Sequence, residues 1–61
     1  MDIETIHESL VNGQRRQMVE QIDEYGATDF FAEYKEYLGD CFDKYSWFTD
    51  ATTSYFRIKA R

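Results

Sequence analysis

Apolar and polar positions follow a helical period along most of this chain. From Asp2 to Val11, the residues Ile3, Ile6, Leu10 and Val11 fall at i, i+3, i+7 and i+8, one stripe of a helix. Asp2 and Glu4 lie where a helix N-terminus favours negative charge. Asn12-Gly13 is a stop signal. From Gln14 to Tyr25 the stripe is Met18, Val19, Ile22 and Tyr25, with Glu20, Asp23 and Glu24 opposite and Gly26 at the end.

The third stretch is the most two-sided. Thr28 suits an N-cap and Asp29 follows in the first turn. At about 100° per residue, Phe30, Phe31, Tyr34, Tyr37, Leu38, Cys41, Phe42 and Tyr45 share an arc of roughly 140°. Asp29, Glu33, Glu36, Asp40 and Asp43 share an arc of roughly 80° nearly opposite. Both patterns keep their phase through Gly39, so the spacing predicts one helix over 29–45, with a kink or C-cap at Gly39 as the second reading. In the last stretch Trp47, Phe48, Ala51, Tyr55 and Ile58 form a stripe, Ser46 suits a cap, and Arg57, Lys59 and Arg61 suit a C-terminal end. A hairpin pairing Tyr45–Phe48 with Ser54–Ile58 is the rival, raised by the weak helix propensity of Thr52-Thr53. The predicted fold is all-α, a small bundle of three to four helices at about 2–12, 14–25, 29–45 and 47–59, in a single domain over 1–61.

Composition narrows this further. At 61 residues the chain holds one small core, and a lone cysteine excludes an internal disulfide. The absence of proline also suits helices. Twelve acids against seven bases give a net charge of −5, so bulk charge does not draw this chain to nucleic acid, and a basic surface is the better partner. Residues 17–50 hold nine acids and two bases, whereas 51–61 hold three bases and no acid. No apolar run approaches a membrane span, and Met-Asp-Ile-Glu-Thr is not a secretion signal. The expected setting is the cytoplasm, which a single thiol fits.

The segment Leu10-Val11-Asn12-Gly13-Gln14-Arg15-Arg16-Gln17 resembles one in a group of short accessory proteins encoded by tailed bacteriophages. The ending Ser54-Tyr55-Phe56-Arg57-Ile58-Lys59-Ala60-Arg61 is similar to their C-terminus. Together the blocks cover about a quarter of the chain, and their order and the total length also match. The resemblance implies a phage protein inside the host cell with no assigned reaction, and it supplies no catalytic residues. Small acidic phage proteins often block a host enzyme, so it favours an inhibitor, for instance of a defence or CRISPR complex.

Five carboxylates over fourteen helical steps would span about 21 Å at about 5 Å spacing, comparable to phosphates along a DNA strand. Such a ridge could fill a basic groove, although a solvated face is the commoner use of a charge run. The expected partner-binding set is Asp29, Glu33, Glu36, Asp40 and Asp43, assisted by Glu20, Asp23 and Glu24. Eleven aromatic residues exceed what so small a core encloses, which adds Tyr37 and Phe56 as interface residues and favours a homodimer. Arg15, Arg16, Arg57, Lys59 and Arg61 are the weaker case for phosphate contact, since bases at a helix end also match the macrodipole. His7 with Glu4 and Glu8 lacks the second histidine of a zinc site, and a partly buried structural histidine is the better reading. Cys41 reads as a small core residue, and Asp40 and Asp43 lack the glycine and ligand spacing of a calcium loop. No catalytic residue, metal or cofactor is expected. The commitment is a non-enzymatic protein that binds and inhibits a host protein through an acidic helix face. The alternative is a self-associating structural or regulatory module that uses exposed aromatics.

Overall fold

A computed structural model describes residues 2–39 and 42–60, with the side chains of all of these except Phe42 and Asp43. Four helices follow one another: α1 (Ile3–Val11), α2 (Arg15–Tyr25), α3 (Ala27–Leu38) and α4 (Phe42–Lys59). Among the described residues there is no strand, which excludes the hairpin at 45–58.

Short-range chemistry explains most boundaries. Asp2 caps α1: its Oδ1 accepts from the Thr5 backbone N–H at 2.9 Å and from the Thr5 hydroxyl at 2.8 Å. These bonds hold the Asp2 carboxyl below its ordinary range, the backbone one foremost. At the other end the Gln14 N–H reaches the Ser9 carbonyl at 2.8 Å and the Gly13 N–H reaches Leu10 at 3.0 Å, a Schellman closure at the predicted Asn12-Gly13 stop. Gly26 then serves two helices at once. Its N–H closes α2 on the Ile22 carbonyl at 2.9 Å, and its carbonyl opens α3 by accepting from the Phe30 N–H at 2.7 Å. Its φ of 108° and ψ of 107° suit glycine. Helix α3 therefore begins at Ala27, and Thr28 is an exposed residue of its first turn rather than the N-cap.

The single helix over 29–45 is not formed. α3 ends at Leu38, and Gly39 takes φ 73° and ψ −159°, a region that side-chain-bearing residues essentially do not enter. The break at Gly39, the second reading of the sequence, is the one observed. Correspondingly α4 starts at Phe42, and Ser46 lies inside it instead of capping it. Helix α4 packs back along α3: Phe48 stacks on Tyr34, while Tyr55 and Phe56, near its end, meet Phe31, near the start of α3.

Every helix touches the other three. Ile6 and Leu10 from α1, Met18, Val19 and Ile22 from α2, Phe30, Tyr34 and Leu38 from α3 and Ala51 from α4 form the core. Burying a side chain of Ile, Leu or Phe size stabilises by about 1.5–3 kcal/mol. Phe30, at the edge of its predicted arc, is fully buried and stacks on Tyr34 at 4.9 Å. Val11 and Tyr45, expected on apolar stripes, are exposed. Among the described residues three polar ones, Ser9, Gln21 and Ser54, are buried. The Ser9 hydroxyl donates to Gln21 Oε1 at 2.7 Å, tying α1 to α2.

Candidate functional site

The backbone break divides the predicted acidic ridge. Asp40 and the side chain of Asp43 lie outside the described residues, as do Cys41 and Arg61. With Gly39 non-helical, five carboxylates cannot line one rod. What α3 itself presents is Asp29, Glu33 and Glu36, all exposed, within about 60° of arc and about 10 Å of rise. They share a side because core-facing Phe30, Tyr34 and Leu38 occupy the other. Glu33 accepts from the Tyr25 hydroxyl at 2.8 Å. That bond pushes the Tyr25 phenol above its ordinary range, with burial and then the charges of Glu33, Asp29 and Asp2 adding to it. Negative charge from α1 and α3 therefore converges on this corner.

The three α2 acids divide. Glu20 and Glu24 are exposed. Asp23 is engaged within the fold, accepting from Lys59 Nζ at 3.0 Å and from the Tyr55 hydroxyl at 2.8 Å. These bonds, Lys59 first, hold its carboxyl below the usual range, so Asp23 braces α2 against α4 and is not a free member of an acidic face. Arg15 and Asp50 form a second brace between the same helices at 3.0 Å.

Of the two aromatic candidates, Phe56 is 64% exposed and stacks at 6.4 Å over Phe31, and Tyr37 is 46% exposed. Tyr37 belongs to a cluster that periodicity did not announce. The His7 ring lies 5.5 Å from that of Tyr37, and 4.8 Å edge-on from Trp47. His7 Nδ1 is 2.8 Å from the Tyr34 hydroxyl, and the Tyr34 side chain is fully buried. Which of the two groups donates depends on which ring nitrogen of His7 carries the proton. Burial lowers the His7 pKa, Lys44 lowers it further, and Glu8 and Glu4 oppose. His7 is thus a half-buried structural residue joining α1 to α3. Among the described residues no three His, Cys, Asp or Glu side chains gather to hold a metal ion.

The surface thus offers carboxylate acceptors and aromatic edges. The inner Ser9–Gln21 bond had only a faint signal in the sequence, each residue lying just beyond the edge of its helix's apolar stripe, three positions after Ile6 and Met18 respectively. No helix among the described residues is long and apolar enough to cross a membrane. Comparison of the chain with family models, curated proteins and solved structures gives no match.

Proposed function

We propose that this chain is a non-enzymatic binding protein that inhibits a host protein by docking the acidic side of α3 on a basic surface. One observation carries the reading: Asp29, Glu33 and Glu36 stand together on α3, and among the described residues none of them meets a cation. The acids that face α2–α4 bases behave differently, since Asp23 and Asp50 are paired. Unpaired like charges on one helix face repel one another, and a basic partner relieves that repulsion and speeds encounter. Glu20 and Glu24 lend further charge from α2. The phage accessory proteins that Leu10–Gln17 and Ser54–Arg61 resemble give the setting, a host cell whose nucleic-acid-handling or defence machinery presents basic grooves.

The test is affinity capture from bacterial lysate with elution on a salt gradient. A captured partner should leave as salt rises. The double variant Glu33→Lys/Glu36→Lys should lose it while keeping the helical circular-dichroism spectrum and melting temperature. Undiminished capture by that variant would refute the acidic face.

A second reading rests on α4. At 100° per residue Tyr45, Ser46, Thr49, Thr53 and Phe56 share the side away from Ala51 and Ser54, all are exposed, and that arc holds no charged residue. An uncharged outer face with Tyr45 62% and Phe56 64% exposed suits self-association. Sedimentation would then show a salt-insensitive dimer that Phe56→Ala dissociates.

A further inference from the structure

Two cavities lie side by side in the groove between α2 and α4. One of about 460 Å³ is lined by Arg16, Val19, Glu20, Arg57 and Ile58. The other, of about 330 Å³, is lined by Arg15, Asp50, Thr53, Ser54, Arg57 and Ile58. Arg57 and Ile58 belong to both. Three of the seven bases of an acidic chain therefore surround one groove, although they come from distant parts of the sequence.

Their pairing differs. Arg15 is committed to Asp50 at 3.0 Å. Arg16 and Arg57, one from each wall of the larger cavity, have no ion pair among the described residues. We propose that this groove binds a small organic phosphate, its phosphate held between Arg16 and Arg57 and its body resting on Val19 and Ile58. A guanidinium offers a planar fork of donors suited to phosphate oxygens. A tetrahedral dianion can accept from two forks that approach in different planes, whereas a carboxylate directs its lone pairs within a single plane. The larger cavity falls in the range of about 300–1,000 Å³ usual for small-molecule sites, and its lining of two apolar and three charged residues is more charged than most such sites, which suits an anionic ligand. Glu20 is the opposing charge in this lining, one helical turn from Arg16, and it sets how much anion the site tolerates. Helix α3 lines neither cavity, so the site uses none of Asp29, Glu33 and Glu36, and Glu20 is the one residue it shares with the acidic set.

The experiment is a two-dimensional NMR titration of the ¹⁵N-labelled chain with adenosine monophosphate, inorganic phosphate and adenosine in separate arms. Adenosine monophosphate should give saturable shifts centred on Arg16, Val19, Glu20, Arg57 and Ile58, inorganic phosphate weaker shifts at the arginines, and adenosine almost none. Arg57→Gln should weaken adenosine monophosphate binding about tenfold or more, the usual size for one charge-assisted contact. Glu20→Gln should tighten it severalfold, and Lys35→Gln, on α3, should leave it unchanged. An unchanged amide spectrum outside the groove certifies that each variant is folded. Three results would overturn the proposal: no saturation with adenosine monophosphate, binding of adenosine or of inorganic phosphate as tight as that of adenosine monophosphate, or equal weakening by Lys35→Gln.

Discussion

Helices α1 and α4 are both fastened to α2, but by opposite kinds of polar contact. The α1 link is the Ser9–Gln21 bond, closed inside the bundle at 2.7 Å. The α4 links include the ion pairs Arg15–Asp50 and Lys59–Asp23, each 3.0 Å long with both side chains 40–49% exposed, beside the Tyr55 hydroxyl bond to Asp23 at 2.8 Å. A buried bond gains little when made but costs much when half of it is removed, because the remaining group is cut off from water. An exposed ion pair loses little, since water and salt replace the partner. The first kind therefore fixes how α1 registers on α2, and the second trims charge at the rim of a contact that apolar packing already holds.

The largest effect should come from breaking the inner link on one side. Ser9→Ala strands the Gln21 amide and should cost about 1–3 kcal/mol in urea denaturation. Ser9→Ala/Gln21→Leu, which removes both halves, should recover much of that loss. Equal destabilisation by single and double variants would show that the hydrogen bond is not what matters at this contact.

The next effect is set by pH. The folded-state pKa of His7 lies below the ordinary value of 6.5, chiefly through burial. In the window just below 6.5 the unfolded chain therefore binds more protons than the folded one. This contribution to stability is fully present above 6.5 and is lost as pH falls through the lowered value. Protonation would also make Nδ1 a donor, so that the buried Tyr34 hydroxyl could only accept from it. The melting temperature should fall between about pH 7 and pH 5, and His7→Gln should flatten that part of the profile; an unaltered slope in His7→Gln would assign it elsewhere.

The smallest effects belong to the outer links. Arg15→Gln and Asp23→Asn should each lower the melting temperature by less than Ser9→Ala does, and about 0.5 M NaCl should erase the difference from the parent chain. A loss that persists in high salt would place these pairs with the inner link.

The first half of the chain was legible as sequence because pattern and punctuation agreed there. Ile6, Leu10, Met18 and Ile22 mark the buried sides, and Asn12-Gly13 and Gly26 mark the ends. At Gly39 the two signals conflicted. The apolar and acidic arcs continue in phase across it, yet periodicity reports only the angle of each residue and not whether the backbone between them is helical. Tyr45, in phase with Leu38 on a single rod, is 62% exposed because α4 turns a different side inward, the one bearing Ala51 and Ser54. Of the expected site, exposure at Tyr37, Phe56, Glu33 and Glu36 could be read from the wheel. The engagement of Asp23 could not, since Tyr55 and Lys59 lie more than thirty positions away and meet it only through folding. The meeting of Arg16 with Arg57 across a groove was hidden for the same reason.

Gly26 leaves the molecule without slack. A single residue ends one helix and begins the next, so two dihedral angles aim the whole second half of the chain. An extra residue spliced in at this joint would re-aim α3 and take Phe30 and Tyr34 out of register with the core, whereas the longer reversal at Asn12–Gln14 has more residues over which to absorb one.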